Sequence, residues 1–216
     1  MIVVLSGASG SGKTTLARRL VEMVPGLEKS ISFTTRPPRP DETPGVAYHF
    51  VDAPTFRAMQ KRGAFVEWAE VHGNLYGTSA DQIESRLAAG MDVVCDIDVQ
   101  GGAAIRRIFG KSSVLVFVFP PSWKELERRL RARGTDSREV VAERLARARA
   151  EHREAKNYDY AVVNEDFSRA SARIADVIQA ERMRTVRMLP QLPPGLVERA
   201  EGTRRVTGKR AKLISD

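Results

Sequence analysis

Eight residues near the start of the chain have the types and the spacing of a phosphate-binding loop. They read G-x-x-x-x-G-K-T and lie between an apolar run at 2–5 and a helical pattern. Glycines at these places let backbone N–H groups curve around an anion, the lysine reaches terminal phosphates, and the threonine hydroxyl can bind Mg²⁺. The positive end of the following helix points at the same anion. We therefore predict that a nucleoside triphosphate is bound by Gly7, Ala8, Ser9, Gly10, Ser11, Gly12, Lys13, Thr14 and Thr15.

The composition favours one globular domain and excludes several classes of protein. The 216 residues are 42% hydrophobic and 29% charged, which suits a sizeable core with a small inserted subdomain. The longest strongly apolar run, at 114–121, is far shorter than the roughly 20 residues of a membrane span. One cysteine, Cys95, and three scattered histidines argue against an intrachain disulfide and a zinc cluster. Because Met1 leads directly into a strand, we expect a cytoplasmic protein that does not contact membranes.

The net charge of +8 is concentrated in clusters of arginine. Base-stacking aromatic residues, which usually accompany single-strand binding grooves, are not interleaved with these clusters. They therefore favour the phosphate groups of small nucleotides over a nucleic acid. The basic stretch at 204–212 leaves nucleic-acid binding open as an addition, although a solvated tail is the simpler interpretation. The clusters are Arg36 and Arg39; Arg128, Arg129, Arg131 and Arg133; and Arg144, Arg147 and Arg149.

Four apolar runs alternate with helical patterns along the chain. This alternation predicts an α/β fold with a central parallel sheet flanked by helices. The predicted strands are residues 2–5, 91–97, 114–119 and 161–163. The predicted helices are residues 14–24, 80–89, 99–108, 124–133, 138–154 and 168–188.

The residue composition changes after the first predicted helix. Residues 32–50 are rich in proline, and 46–50 and 65–71 have the pattern of short strands. We predict a domain at 1–187, in which a substrate-binding subdomain at 31–79 is inserted into a core of 1–30, 80–123 and 155–187. Two arginine-loaded helices joined at 134–137 predict a helical lid at 124–154. Residues 188–216 are expected to form a basic, flexible tail.

Several separated motifs within residues 1–187 resemble those of the guanylate kinases, which are P-loop kinases of nucleoside monophosphates. S-F-T-T-R-P-P-R at 32–39 is similar to the family's monophosphate-binding segment, and Tyr48 follows at the family's spacing. F-V-E-W-A at 65–69 and G-N-L-Y-G-T at 73–78 are similar to its guanine-recognition stretch. D-I-D-V-Q-G at 96–101 is similar to a strand end of the family, R-G at 133–134 with Arg144 to its lid, and V-N-E-D at 163–166 to its adenine-side loop.

The resemblance implies transfer of the γ-phosphoryl group of ATP to GMP, with Mg²⁺. The chemistry of guanine agrees, because the carboxylate of Glu67 can accept from N1–H and the 2-amino group while the Thr78 hydroxyl donates to O6. Adenine would leave such groups unpaired, a mismatch that can be worth a factor of roughly 10⁴. Arginines would hold the monophosphate by bidentate bonds and tyrosines by hydroxyl donation. The implied GMP site is Ser32, Arg36, Arg39, Tyr48, Glu67, Tyr76, Thr78 and Asp98.

The resemblance also implies roles on the ATP side. Lys13 would bridge the β- and γ-phosphates, Thr14 would bind magnesium, and Asp96 would orient a magnesium-bound water. The implied lid arginines, which would stabilise the transferring group, are Arg129, Arg133 and Arg144, and Asn164 would contact ATP. Three further arginines, Arg128, Arg131 and Arg147, are expected to pair with glutamates on the helix surface.

The chain departs from the family pattern at two positions, and two other functions remain as alternatives. Asp41 stands where the family usually has glycine and adds a charge, and Thr78 stands where serine is common. A non-catalytic, guanylate-kinase-like scaffold that recognises phosphopeptides would typically lack the phosphate-binding loop. A kinase of a ribose bisphosphate would need no guanine pocket, and the presence together of Glu67, Tyr76, Thr78 and Asp98 argues against it. The oligomeric state is not indicated.

Overall fold

Strands and helices alternate along the chain in the structure, a computed structural model that describes residues 1–40, 42–71, 73–132, 138–193 and 196. The strands of this part are β1 (Ile2–Ser6), β2 (Leu27–Lys29), β3 (Phe33–Thr34), β4 (His49–Phe50), β5 (Phe65–Val71), β6 (Asn74–Ser79), β7 (Asp92–Asp96), β8 (Ser113–Phe119) and β9 (Tyr160–Val163). The helices are α1 (Lys13–Met23), α2 (Ala53–Lys61), α3 (Ala80–Ala88), α4 (Val99–Phe109), α5 (Trp123–Arg131), α6 (Arg138–Arg153), α7 (Phe167–Arg182) and α8 (Thr185–Met188). The chain divides into two units, Met1–Glu181 and Arg182–Asp216.

The central sheet is parallel and has the strand order β2-β7-β1-β8-β9. β1 lies in the middle and all its residues are buried, as expected for an apolar strand that is covered on both faces. Because successive side chains of a strand point to opposite faces, Val3 and Leu5 pack with α1 and α7, whereas Ile2 and Val4 pack with α3 and α4. The predicted parallel α/β fold is confirmed.

The segment between β2 and α3 forms a second, mixed sheet, inserted into the core, with the order β4-β3-β6-β5. β3 pairs parallel with β4 and antiparallel with β6, and β5 pairs antiparallel with β6. α2 begins after Asp52, whose carboxylate accepts from the backbone N–H of Thr55. Phe56 of α2 stacks on Phe65 of β5 with ring centroids 4.5 Å apart. This packing fixes the β5–β6 hairpin, which also contacts α4 of the core.

A small apolar cluster joins the phosphate-binding loop to α5 and α6. Ala8 of the loop packs with Leu126 and Leu130 of α5 and with Val141 and Ala148 of α6. The two helices predicted to form a lid are therefore in direct contact with the loop that they would cover.

Most differences between prediction and structure lie between α1 and α3. β2, β3, β6 and α2 are not among the predicted elements, and the strand predicted at 46–50 is reduced to β4. β2 and β3, of three and two residues, offer too few positions for a hydrophobic period, whereas β6 has six residues and α2 has nine. The helix predicted at 168–188 is interrupted, because Arg184 has an extended backbone between α7 and α8. None of the described helices is long and apolar enough to cross a membrane.

Candidate active site

The phosphate-binding loop, the ends of β1 and β7, the inserted sheet and α6 surround a cavity of about 500 Å³. This volume is typical of a ligand site, and its place outside the carboxyl ends of parallel strands is where such sheets bind ligands. Seven Lys or Arg side chains line it against five Asp or Glu, so the cavity favours an anionic ligand. The cations are Lys13, Arg18, Lys29, Arg36, Arg39, Arg144 and Arg147, and the acids are Glu42, Glu67, Asp96, Asp98 and Glu151.

A glycine and an asparagine fix the backbone of the phosphate-binding loop. Gly12 has a φ of +100°, which residues with a side chain rarely adopt. A Cβ atom at Gly12 would lie 2.3 Å from Nδ2 of Asn164. That buried Nδ2 donates to the carbonyl oxygen of Ser11 at 2.8 Å. The asparagine predicted to contact ATP therefore supports the backbone of the loop. Lys13, the first residue of α1, donates from Nζ to two carbonyl oxygens of the loop.

Arg36, Tyr48 and Tyr76 come together on the opposite side of the cavity. The guanidinium carbon of Arg36 lies 5.6 Å from the ring centroid of Tyr48, and the rings of Tyr48 and Tyr76 pack edge to face at 5.9 Å. Burial raises the pKa of Tyr48 to about 12, so its hydroxyl remains a proton donor at neutral pH. Arg39 also lines the cavity, with 54% of its side chain exposed. A guanidinium beside two hydroxyl donors suits a phosphate group.

Glu67 occupies a nearly closed position between the β5–β6 hairpin and the start of α4. A Cβ atom on Gly101 of α4 would lie 3.1 Å from the carboxyl carbon of Glu67. The absence of a side chain at Gly101 therefore leaves room for Glu67. Burial raises the pKa of Glu67 to about 7; the negative charge of Asp98 adds to the rise, and a hydrogen bond from Thr78 opposes it. Ser32 and Asp98 line the same cavity. The Asp98 carboxylate also caps α4 by accepting from the backbone N–H of Gly101 at 2.9 Å.

Thr78 lies beneath Glu67. It is fully buried, and its hydroxyl donates to the carboxylate of Glu67. In the structure the single hydroxyl proton is therefore directed at Glu67, whereas the sequence predicted that it donates to O6 of guanine.

Asp96 and Thr14 are the candidate metal-binding residues and both line the cavity. Oδ1 of Asp96 lies 3.1 Å from Nζ of Lys29, and both side chains are largely buried. Among the described residues, no group of three or more His, Cys, Asp or Glu side chains could hold a metal ion. This sparse set of hard oxygen donors fits Mg²⁺, which commonly takes one or two protein ligands and completes its shell with water and phosphate oxygens.

Two arginines of α6 line the main cavity. Arg144 has its Nε buried there, and Arg147 lines the cavity one turn further along the helix. Arg147 was predicted to pair with a glutamate on the helix surface; its side chain is exposed and lines the cavity on the same helix face as Arg144. Arg128 and Arg131 are paired with glutamates of α5, as predicted.

Arg129 lies apart from this pair. Its Nε is 2.8 Å from a carboxylate oxygen of Glu125. It borders a second, shallower depression together with Gly10, Asn164 and Phe167. Arg133 lies outside the described residues.

Four charged residues of the cavity were missed by the sequence analysis: Arg18, Lys29, Glu42 and Glu151. Lys29 ends the short strand β2, and Glu42 lies in an irregular segment, so neither stands on a recognisable period. Glu151 is seven residues after Arg144 on α6, a spacing that could have placed it on the same helix face. Burial raises the pKa of Glu151, and the charges of Lys13 and Arg147 oppose that rise.

Comparisons with known proteins agree with this arrangement. A family model described as guanylate kinase matches residues 1–181. The guanylate kinase of Geobacter sulfurreducens is 47% identical over 189 residues, which cover 88% of this chain and 93% of that protein. The guanylate kinase of Chromobacterium violaceum is 47% identical over 184 residues, or 85% of this chain and 87% of the relative. A crystal structure of guanylate kinase from Anaplasma phagocytophilum superposes with a TM-score of 0.73 and 34% identity, covering 87% of this chain and 88% of that one. The chain therefore belongs to the guanylate kinase family.

Proposed function

We propose that the protein transfers the γ-phosphoryl group of ATP to GMP and releases ADP and GDP. The observation that carries the proposal is that a single cavity is lined by the phosphate-binding loop, by the largely buried carboxylate of Glu67 and by Arg36. Membership of the guanylate kinase family supports the same reaction. In it, an oxygen of the GMP phosphate attacks the γ-phosphorus, and the bond from that phosphorus to the β-phosphate oxygen breaks.

On the acceptor side, we infer that residues 31–79 bind GMP. Glu67 accepts from N1–H and the 2-amino group of guanine, and Thr78 holds the carboxylate in place from below. The hydroxyl that donates to Glu67 can turn to O6 when guanine binds, so both roles of Thr78 are compatible with its position. Ser32 and Asp98 complete the base pocket. Arg36, Arg39, Tyr48 and Tyr76 bind the 5′-phosphate.

On the donor side, residues 7–15 bind the phosphates of ATP. The loop amides and the N-terminus of α1 supply the anion site, and Lys13 moves from the loop carbonyls to the β- and γ-phosphates. Thr14, and Asp96 through a water molecule, would hold Mg²⁺, which when bound neutralises charge on the phosphate oxygens. The shallow depression that Arg129, Asn164 and Phe167 border is suited to the adenosine part of ATP.

We propose that residues 124–154 act as a lid over this cavity. Arg144, with Arg133, stabilises the negative charge of the transferring group, because phosphoryl transfer depends mainly on positioning and charge neutralisation. Closure when both nucleotides are bound keeps water away from the γ-phosphate and limits wasteful hydrolysis.

The test is ADP formation by the full chain with ATP and Mg²⁺ when GMP, AMP, CMP, UMP or no acceptor is added. The proposal predicts turnover that requires GMP. Equal slow turnover in all five reactions would indicate an ATPase and contradict the acceptor assignment. No turnover in any reaction would contradict the kinase itself.

A further inference from the structure

The cavity contains a carboxylate where an acceptor phosphate is expected to bind. Oε1 and Oε2 of Glu42 lie 2.7 and 2.8 Å from Nη2 of Arg36. The side chain of Glu42 is 12% exposed and that of Arg36 is 15% exposed. Both residues line the cavity. A negative charge at this place opposes the binding of a phosphate by simple repulsion, so its presence needs a reason.

The contacts of Glu42 supply that reason. Its Oε2 also accepts from the backbone N–H of Arg39 at 2.9 Å, so one carboxylate ties the side chain of one phosphate-binding arginine to the backbone of the other. The other end of the guanidinium is fixed as well, because Nη1 of Arg36 donates to the carbonyl oxygen of Pro37 at 2.6 Å. Burial works against the charged form of Glu42, but the bonds from Arg39 and Arg36 more than offset it and hold its pKa below the usual value.

Arg36 is thereby fixed before any ligand arrives. A free arginine side chain loses rotamer entropy when it is immobilised on a ligand, and that loss weakens binding. The paired contacts with Glu42 restrict that freedom without a phosphate, and the ring of Tyr48 limits it further from the side. The N–H groups of Arg36 that do not point at Glu42 or Pro37 remain to meet Tyr76 and an incoming phosphate.

We propose that Glu42 is a positioning residue for GMP binding: it orients the guanidinium of Arg36 toward the 5′-phosphate without contacting the phosphate. The inference rests on the proposed function, in which Arg36 binds the acceptor. It predicts that the loss of one carboxylate oxygen weakens GMP binding, although the loss of a negative charge by itself would strengthen it.

The test is a double-mutant cycle of wild type, Glu42→Gln, Arg36→Lys and the double variant. Glutamine keeps one oxygen, which can still accept from the backbone N–H of Arg39 and from Nη2 of Arg36. Its NH₂ group replaces Oε1, so that a donor would face the donor Nη2. Lysine at 36 keeps the charge but cannot form the paired bonds of a guanidinium. The readouts are the Kd of GMP by calorimetry, the KM values of GMP and ATP, and the thermal midpoint. Glu22→Gln is the matched control, because Glu22 forms an exposed ion pair with Arg19 on α1.

We expect the Kd of GMP to be on the order of tenfold higher in Glu42→Gln than in wild type. In the double variant it should be less than about twofold higher than in Arg36→Lys. The KM of ATP stays within about twofold, and Glu22→Gln changes neither constant. An unchanged or lowered Kd in Glu42→Gln would overturn the proposal, as would equal effects in both backgrounds or a matching rise in the KM of ATP. If Glu42→Gln does not fold, Glu42→Asp carries the same cycle, since its shorter side chain keeps the charge but shifts both oxygens. Wild-type turnover with GMP separates the two hypotheses: its absence refutes the proposed function, whereas an additive cycle in an active enzyme refutes only the role of Glu42.

Discussion

The substitution Glu67→Gln is expected to stabilise the protein and to impair its binding of GMP. Glu67 is largely buried, and burial raises its pKa from an ordinary 4.5 to about 7. Each unit of pKa is worth about 1.36 kcal/mol, so keeping this carboxylate charged in the folded state costs about 3 kcal/mol. Glutamine has nearly the same shape and can still accept from Thr78. It therefore removes the charge without opening a cavity.

The sign of the pH dependence follows from linkage. The folded protein binds the Glu67 proton more tightly than the unfolded chain does, so this carboxyl destabilises the wild type increasingly as the pH rises from about 4.5 to about 7. The difference in free energy of unfolding between Glu67→Gln and wild type should be small near pH 4.5 and reach about 3 kcal/mol above pH 7. For a chain of this size, that corresponds to a rise of roughly 6–12 °C in the thermal midpoint.

Urea unfolding of both proteins between pH 5 and pH 8 measures this difference. Glu70→Gln is the control, because Glu70 is exposed on the same strand. Glu67→Gln should also raise the KM of GMP at least 100-fold, because the amide N–H group of glutamine would face an N–H donor of guanine. The KM of ATP should change little. A stability difference that is constant with pH would refute the burial argument. An unchanged KM of GMP would refute the guanine assignment.

Three other substitutions test the donor side and the lid. Lys13→Ala should abolish GMP-dependent ADP formation while circular dichroism shows an intact fold, because charge neutralisation at the phosphates is lost. Arg144→Ala should lower kcat on the order of 10³-fold, whereas Arg149→Ala, on the same helix but stacked over a tryptophan, should stay within about twofold of wild type. Gly12→Ala should abolish ATP binding in calorimetry, because its Cβ would meet the neighbouring asparagine at 2.3 Å. The matched Gly63→Ala, at a positive φ in open space, should lose roughly 1–2 kcal/mol of stability and keep ATP binding.

The opposite results would each remove one step of the reasoning. Near-normal turnover of Lys13→Ala contradicts the role of the loop lysine. Equal losses in Arg144→Ala and Arg149→Ala would mean that α6 acts only as a scaffold. Normal ATP binding by Gly12→Ala would show that the loop tolerates a side chain where the structure leaves no room for one.

The local features of the site could be predicted from the sequence, because each depends on residues within one short segment. The phosphate-binding loop needs only its own residues and the strand and helix beside it. The order of the core strands was not predicted, although their parallel direction was, since apolar strands that alternate with helices are typical of a parallel sheet. The helix face that carries Arg144 could likewise have been extended to Arg147 and Glu151 by spacing alone.

What the sequence by itself determined, then, is a parallel α/β core, a loop that binds phosphates and a set of residues that resemble a GMP site. Only the tertiary structure decided that Lys29 pairs with Asp96, that Thr78 donates to Glu67 and that Glu42 holds Arg36. The physical reason is that ion pairs and pKa shifts depend on burial and on distances across different elements. Burial and distance arise when the inserted sheet packs on the core, and neither has a signature in the local pattern of residues.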